Sequence, residues 1–497
     1  MPKPVKVAQA FRDGMKRDFS RDQMPPNTLW NSVDFIPEIL GAPIRKRGGY
    51  TYQGAATSAV TSTSDHIQAG LVAPFSLRSS PSNIAFDEDG HAFEITSSTA
   101  NDIGLATPTV NPLFYSDKVI IPGSDGSTAP KMITSTSAAY SVTALTASAP
   151  AGKYAVLYKD VLWLAASSAS SDRIYFSVAG NPQSWDTTNK WLDVSLPITG
   201  MAALANAVFV FMEGRTARIR GSIPPPDSDF IVDDPIFEVG CTDNRSISLY
   251  RDKVIWANAS GLFISDGTAM DDLTAICGMK NWWLDIMAGR EPVNGTTAVY
   301  DRTNGIISTG VYRDYLLYSV MSGTAFIDAG FIDLKRYVWG RFSNQKVDFY
   351  WKQEYPEELY AGSRVSSRIH KCSGLFAPTS ATSADANGTV VTPYIETPYY
   401  MGEGPLQTFL FAFLEYDLRD PASADPILTL SYLTDPSLTS YTDLADTLPE
   451  QTAIARLHRR LGFTGRGIAF KIAQSNGSSD TRLYGVEVSA NTQDSFK

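Results

Sequence analysis

The sequence predicts an all-β protein: a β-propeller with an N-terminal extension and a C-terminal β-sandwich-like domain. Three observations predict it. Aromatic residues are abundant, with 24 Phe, 23 Tyr and 9 Trp in 497 residues, and such residues favour pleated, half-buried surfaces over helices. A phrase made of an aromatic or apolar residue, a spacer, Asp or Asn and a short apolar strand returns at nearly even steps. Toward the C-terminus the texture changes to alternation of apolar and polar residues, the period of a half-buried strand.

Residues 1–50 form the extension. Lys3, Lys6, Arg12, Lys16, Arg17 and Arg21 outweigh Asp13, Asp18 and Asp22, and Arg45, Lys46 and Arg47 add a dense patch before Gly48. A solvated face accounts for such a run. On an acidic chain it is also expected to dock an acidic partner or a neighbouring subunit.

The propeller is expected over 51–375. The recurring phrase is "YSDKVII" from Tyr115, "YKDVLWL" from Tyr158, "LANAVFVF" from Leu204, "YRDKVIW" from Tyr250 and "YRDYLLY" from Tyr312. Measured at Asp117, Asp160, Asn206, Asp252 and Asp314, the steps are 43, 46, 46 and 62 residues. A four-stranded blade needs about 40–45 residues, and Asp or Asn at the turn can shape it with its own side chain. The long fourth step holds "DDLTAICGMKNWWLDIMAGR" (271–290), whose apolar spacing is helical, so a short helix is expected between blades. Weaker strand signals at 82–95 and 357–372 supply further blades, six to eight in all.

Within this region "YFSVAGNPQSWDTT" (175–188) reads as a strand ended by a turn. Gly180 can take positive φ, Pro182 fixes its own, and Asn181 is held extended by the proline after it. Trp185 and Trp191 then offer apolar area to seal a gap between blades, with the indole N–H on a backbone carbonyl. No ligand is needed to explain them.

Near residue 375, "APTSATSADANGT" reads as a linker, and 390–497 as the sandwich. Leu428, Leu430 and Tyr432 alternate with Thr429 and Ser431; Ile468, Phe470 and Ile472 alternate with Ala469 and Lys471. "TFLFAFLEY" (408–416), apolar on both faces, is expected to be a central strand.

Composition and motifs offer nothing for catalysis. Cys241, Cys277 and Cys372 show no metal-binding spacing and read as small buried apolar residues. The four histidines, His66, His91, His370 and His458, lack the spacing of a helical metal pair and read as surface or turn residues. "FDEDGH" (86–91) lacks the ligand series of a calcium loop and reads as a hairpin turn. "GSDGST" (123–128) and "ISDGT" (264–268) lack the closing aromatic of a sialidase Asp-box, and "GFTGRG" (462–467) reads as a turn. No metal, cofactor or enzymatic activity is expected. The N-terminus has no signal-peptide core, no apolar run reaches the ~18 residues of a membrane helix, and a soluble chain made in a reducing cytoplasm is expected. A net charge of −10 disfavours general nucleic-acid binding.

Three stretches, "RIYFSVAGNPQSWD" (173–186), "GLFISDGT" (261–268) and "MPPNTLWNSVDFIPEILGAPIRKRGGY" (24–50), with "RLHRRLGFTGRGIAFKI" (456–472), resemble the β-propeller tail proteins of tailed bacteriophages, especially the tail-hub or nozzle protein of short-tailed phages. The resemblance implies a virion component made in the host cytoplasm and assembled as a hexameric ring below the portal and adaptor proteins. Such a ring extends the DNA channel, helps retain and deliver the genome, and anchors tail fibres, spikes or a plug, with no catalytic residues to transfer. Genomic DNA would pass through the lumen without specific binding, and the acidic residues are expected to line it, since carboxylates repel phosphates within a Debye length of about 8 Å. The competing expectation is a receptor- or glycan-binding propeller at the tail tip, stacking sugars on Trp282, Trp283 or Trp339; a propeller hydrolase is a third.

Overall fold

The computed structural model describes residues 4–9, 11, 13–25, 27–37, 44–48, 51–53, 66–96, 99–222, 229–290, 299–364, 368–376, 393–401, 407–419, 428–435, 440–444, 451–474 and 480–492. Among them, seven antiparallel units follow one another around an axis. Blades 1 to 6 occupy 67–105, 113–144, 154–193, 198–237, 248–272 and 305–341, and blade 7 occupies 347–371. The fold is a β-propeller.

Each recurring phrase is the first hairpin of a blade. Tyr115 pairs with Lys118, Tyr158 with Val161, Leu204 with Ala207, Tyr250 with Lys253 and Tyr312 with Tyr315, so two residues make every one of these turns. In blades 2 and 3 both turn residues have positive φ, at Ser116 and Asp117 and at Lys159 and Asp160. That is the conformation matching the right-handed twist of paired strands, and Asp tolerates it. In blades 5 and 6 only the first turn residue, Arg251 or Arg313, has positive φ. Blades 1 and 7 make the same connection with longer loops, between Ala73 and Ser82 and between Gln353 and Glu358.

The ring is closed by packing and by strand exchange. Apolar clusters fill the gaps between blades 1 and 2, 2 and 3, 3 and 4, 4 and 5, and 6 and 7, while the largest one joins blades 5 and 6 to the helices and the sandwich. At the seam, Trp351 and Tyr360 of blade 7 pack with Ile67 and Ala85 of blade 1. Trp351 lies so close to the first strand of blade 1 that a Cβ on Gly70 would sit 2.5 Å from its ring. The outer strand of blade 7 is Thr51–Gln53, paired with Ile369–Lys371 and leading into blade 1. The chain's two ends of the propeller are thereby latched within one sheet.

Leu273–Ile276 and Lys280–Met287 are helical and fill the interval between blades 5 and 6. Asp272 caps the first of them, accepting from the Ala275 N–H. Trp283 is fully buried and donates from its indole to the Asn258 carbonyl at 3.0 Å.

Two sheets make the C-terminal domain, and the N-terminal segment belongs to both. In the first, Phe35–Pro37, Ile44–Lys46, Asp480–Thr492, Gln407–Arg419 and Gln451–Gly465 lie in that order, with Pro4–Gln9 also along Asp480–Thr492. Gln407–Arg419 is central, paired on both sides. In the second, Asn31–Val33 pairs with Tyr394–Glu396 on one side and, at Val33, with Arg341 of blade 6 on the other. Blade 6 therefore runs without a break into Gly467–Gln474 and Leu428–Leu433. The inward residues of the two sheets, among them Leu414, Val486, Leu430, Phe470 and Ile472, share one core with the helices.

Candidate functional site

The propeller axis offers two faces, and the first-hairpin turns mark one of them. There the residues singled out by the repeat bridge neighbouring blades. Asp117 of blade 2 accepts from the N–H and hydroxyl of Ser76 in blade 1, at 2.7 and 2.8 Å. Tyr115 of blade 2 donates to the carbonyl of Asp160 in blade 3 at 2.6 Å and to its carboxylate at 3.0 Å. Tyr250 of blade 5 donates to the Asp314 carboxylate of blade 6 at 2.9 Å, and the Arg313 N–H of blade 6 reaches Glu357 of blade 7 at 3.3 Å. Burial and the nearby carboxylate push the Tyr115 and Tyr250 hydroxyls up to about 12. Asn206 and Asp252 are exposed in the corresponding turns.

The same carbonyl of Asp160 accepts from Gly180 N–H at 2.8 Å. Gly180 has φ of +72°. Asn181 accepts from the Gln183 N–H at 3.0 Å, Pro182 is buried, and Trp185 donates to the Pro182 carbonyl at 2.8 Å. Trp185 packs on the cluster between blades 2 and 3. Trp191 instead carries the Arg173 guanidinium over its ring at 4.6 Å.

At the other face, where the inner strands begin, a charged cluster surrounds Asp348 of blade 7. This carboxylate is fully buried and receives Arg245, Arg364 at 3.2 Å and His66 at 3.1 Å. His66 also faces Glu88 at 3.0 Å across the seam of blades 7 and 1. With the ring proton on Nδ1 its Nε2 accepts from Arg364 at 2.8 Å; with a proton on Nε2 it donates to Asp348. Burial disfavours the Asp348 charge, but Arg245, His66 and Arg364 outweigh that and hold its carboxyl down at about 2. Burial likewise works against the Arg245 charge, and Asp348 and Asp243 overcome it. Beside the cluster lies a cleft of about 450 Å³ bounded by Asp243, Arg245, Asp301, Asn304, Ser322 and Arg364. Nearer the hairpin face a second, of about 480 Å³, lies between Leu249, Arg251, Val311, Tyr350, Lys352 and Glu354. The first is lined by blades 6 and 7 and the segments leading into blades 5 and 6, the second by blades 5, 6 and 7, and both are polar enough to hold water or a small polar ligand. Their cations are already ion-paired: Arg245 and Arg364 with Asp348, Arg251 with Asp314, Lys352 with Glu354 and Glu357.

Several expectations from the sequence are corrected here. Arg45, Lys46 and Arg47 do not form an exposed docking patch: they are 9%, 4% and 1% exposed. Their strand is inserted between Phe35–Pro37 and Asp480–Thr492. Arg45 donates to the Phe376 carbonyl at 2.9 Å, and Arg47 pairs with the buried Asp34 at 2.6 Å. The earlier cations also serve the chain itself. Lys16 donates to the Cys277 carbonyl at 2.9 Å, and Arg21 to the Thr397 carbonyl at 3.0 Å. Arg12 and Lys3 lie outside the described residues, as does the side chain of Lys6. Trp282, Trp283 and Trp339 are 4%, 0% and 1% exposed and cannot stack on a sugar ring from solvent. His370 is buried within blade 7 rather than on the surface.

The three cysteines are buried and free, and burial pushes the Cys241 and Cys277 thiols up to about 12. In "GSDGST" and "ISDGT" the aspartates fold back on their own turns: Asp125 accepts from Thr128 N–H at 2.9 Å and Asp266 from Thr268 N–H at 2.8 Å. Among the described residues no group of three or more His, Cys, Asp or Glu could hold a metal ion, and no helix is long and apolar enough to cross a membrane. What sequence reasoning missed was the Asp348 cluster, whose members come from positions 66, 88, 245, 348 and 364 and share no local pattern.

No protein-family model and no curated protein matches the chain. Among solved structures it is similar to a crystal structure of BBS1N in complex with ARL6DN, soaked with mercury, at 10% identity and a TM-score of 0.43, over 65% of this chain and 96% of that one. It is also similar to a crystal structure of the computationally designed Ika8 protein, at 9% identity and a TM-score of 0.38, over 65% of this chain and 99% of that one. The propeller rests on the sheet pairing and inter-blade packing of the chain itself.

Proposed function

We propose that this protein is a structural, non-catalytic virion component, the hub or nozzle ring of a phage tail, which extends the DNA channel below the portal and adaptor proteins. One observation carries the structural role: the N-terminal segment inserts strands into both C-terminal sheets and a latch into blade 7, so the propeller and sandwich form one stiff block. A ring that must hold its diameter while genome passes calls for a subunit of this kind, and Asp117, Tyr115 and Tyr250 of the repeat make blade-to-blade bonds. The sequence phrases shared with tail propellers support placement in the tail. Fibres, spikes or a plug would attach to its distal surface, and an acidic lumen would let DNA slide.

Electron microscopy of intact particles labelled with antibodies to this chain tests the proposal. Label on the tail, between the capsid vertex and the fibres, is the expected result. Label absent from the particles, or turnover of a cell-surface glycan by the purified chain, overturns it.

A further inference from the structure

We draw no further inference here: the strongest candidate, the cleft between the inner strands of blades 5, 6 and 7 near the hairpin face, walled by Leu249 and Val311, carries nothing because nothing in the structure shows what covers its apolar wall and the cations at its rim, Arg251 and Lys352, are already ion-paired.

Discussion

The guanidinium of Arg17 is held between two indoles, with its central carbon 3.8 Å from the Trp30 ring centroid and 4.8 Å from that of Trp282. Trp282 in turn carries Arg341 at 4.5 Å and donates to the buried Asp328 at 3.1 Å. Beyond Trp30, Arg21 continues the stack to Tyr441 of the C-terminal domain at 5.6 Å. Cations and rings thus alternate from blade 6, through the helix and the N-terminal segment, to the sandwich. Replacing Arg17 by Ala removes a partly desolvated cation–π pair on each side, and should lower unfolding stability by about 1–2 kcal/mol. Lys should restore only part of the loss, since it lacks the planar group. Urea melts of the three proteins check this.

The blade-to-blade tyrosines give a second expectation. Tyr115→Phe deletes the bonds to Asp160 and should cost about 1 kcal/mol, as should Tyr250→Phe at Asp314. Being distant, the two should add. The Tyr115 and Tyr250 hydroxyls are pushed up to about 12, above the usual value of 10. A raised folded-state value means that their contribution is complete below pH 10 and is lost as pH rises through about 12. Melting temperature should therefore fall across that window, and less steeply in the double Phe variant.

Asp348 sets the acid side. Its carboxyl is held at about 2 against an ordinary 3.8, so its stabilisation is present above 3.8 and is lost as pH falls through about 2. Asp348→Asn leaves Arg364 beside an uncharged amide and Arg245 with Asp243 alone, in a buried site. A loss of about 3–5 kcal/mol is expected, and the variant should lose the part of the acid denaturation that Asp348 contributes. Denaturant titrations from pH 2 to pH 7 would show it.

How far the sequence carries can be judged at particular residues. The phrases at Tyr115, Tyr158, Leu204, Tyr250 and Tyr312 are five first hairpins because a two-residue turn between apolar strands leaves a local signature. The 62-residue step is long because it contains helices between Leu273 and Met287. Blades 1 and 7 lack the phrase since longer loops replace their tight turns, and the signals at 82–95 and 357–372 are their second and third strands. The Arg47–Asp34 pair, by contrast, joins residues whose burial is decided by strands near 37 and 483. Thr51–Gln53 is three residues long, and its role as a latch depends on Ile369–Lys371. Pairing at that separation has no local trace, so a buried basic strand reads in sequence like an exposed one.

The latch itself is testable. Tyr52 pairs through its backbone with His370. Proline there removes a backbone N–H from the seam strand and should destabilise by about 1–3 kcal/mol. Hydrogen exchange should rise first in blade 7 and in Ile67–Ala73, next to the opened seam, while blades 3 and 4 stay protected.

The central claim is that this stiff subunit exists to be repeated around a lumen. Native mass spectrometry of the purified 54.1 kDa chain tests it most directly. A single dominant species at a fixed multiple of the subunit mass, six for a hexamer, is the predicted result, unchanged on dilution until it splits into monomers. A chain that remains monomeric at every concentration and salt, or a ladder of masses without closure, would contradict it.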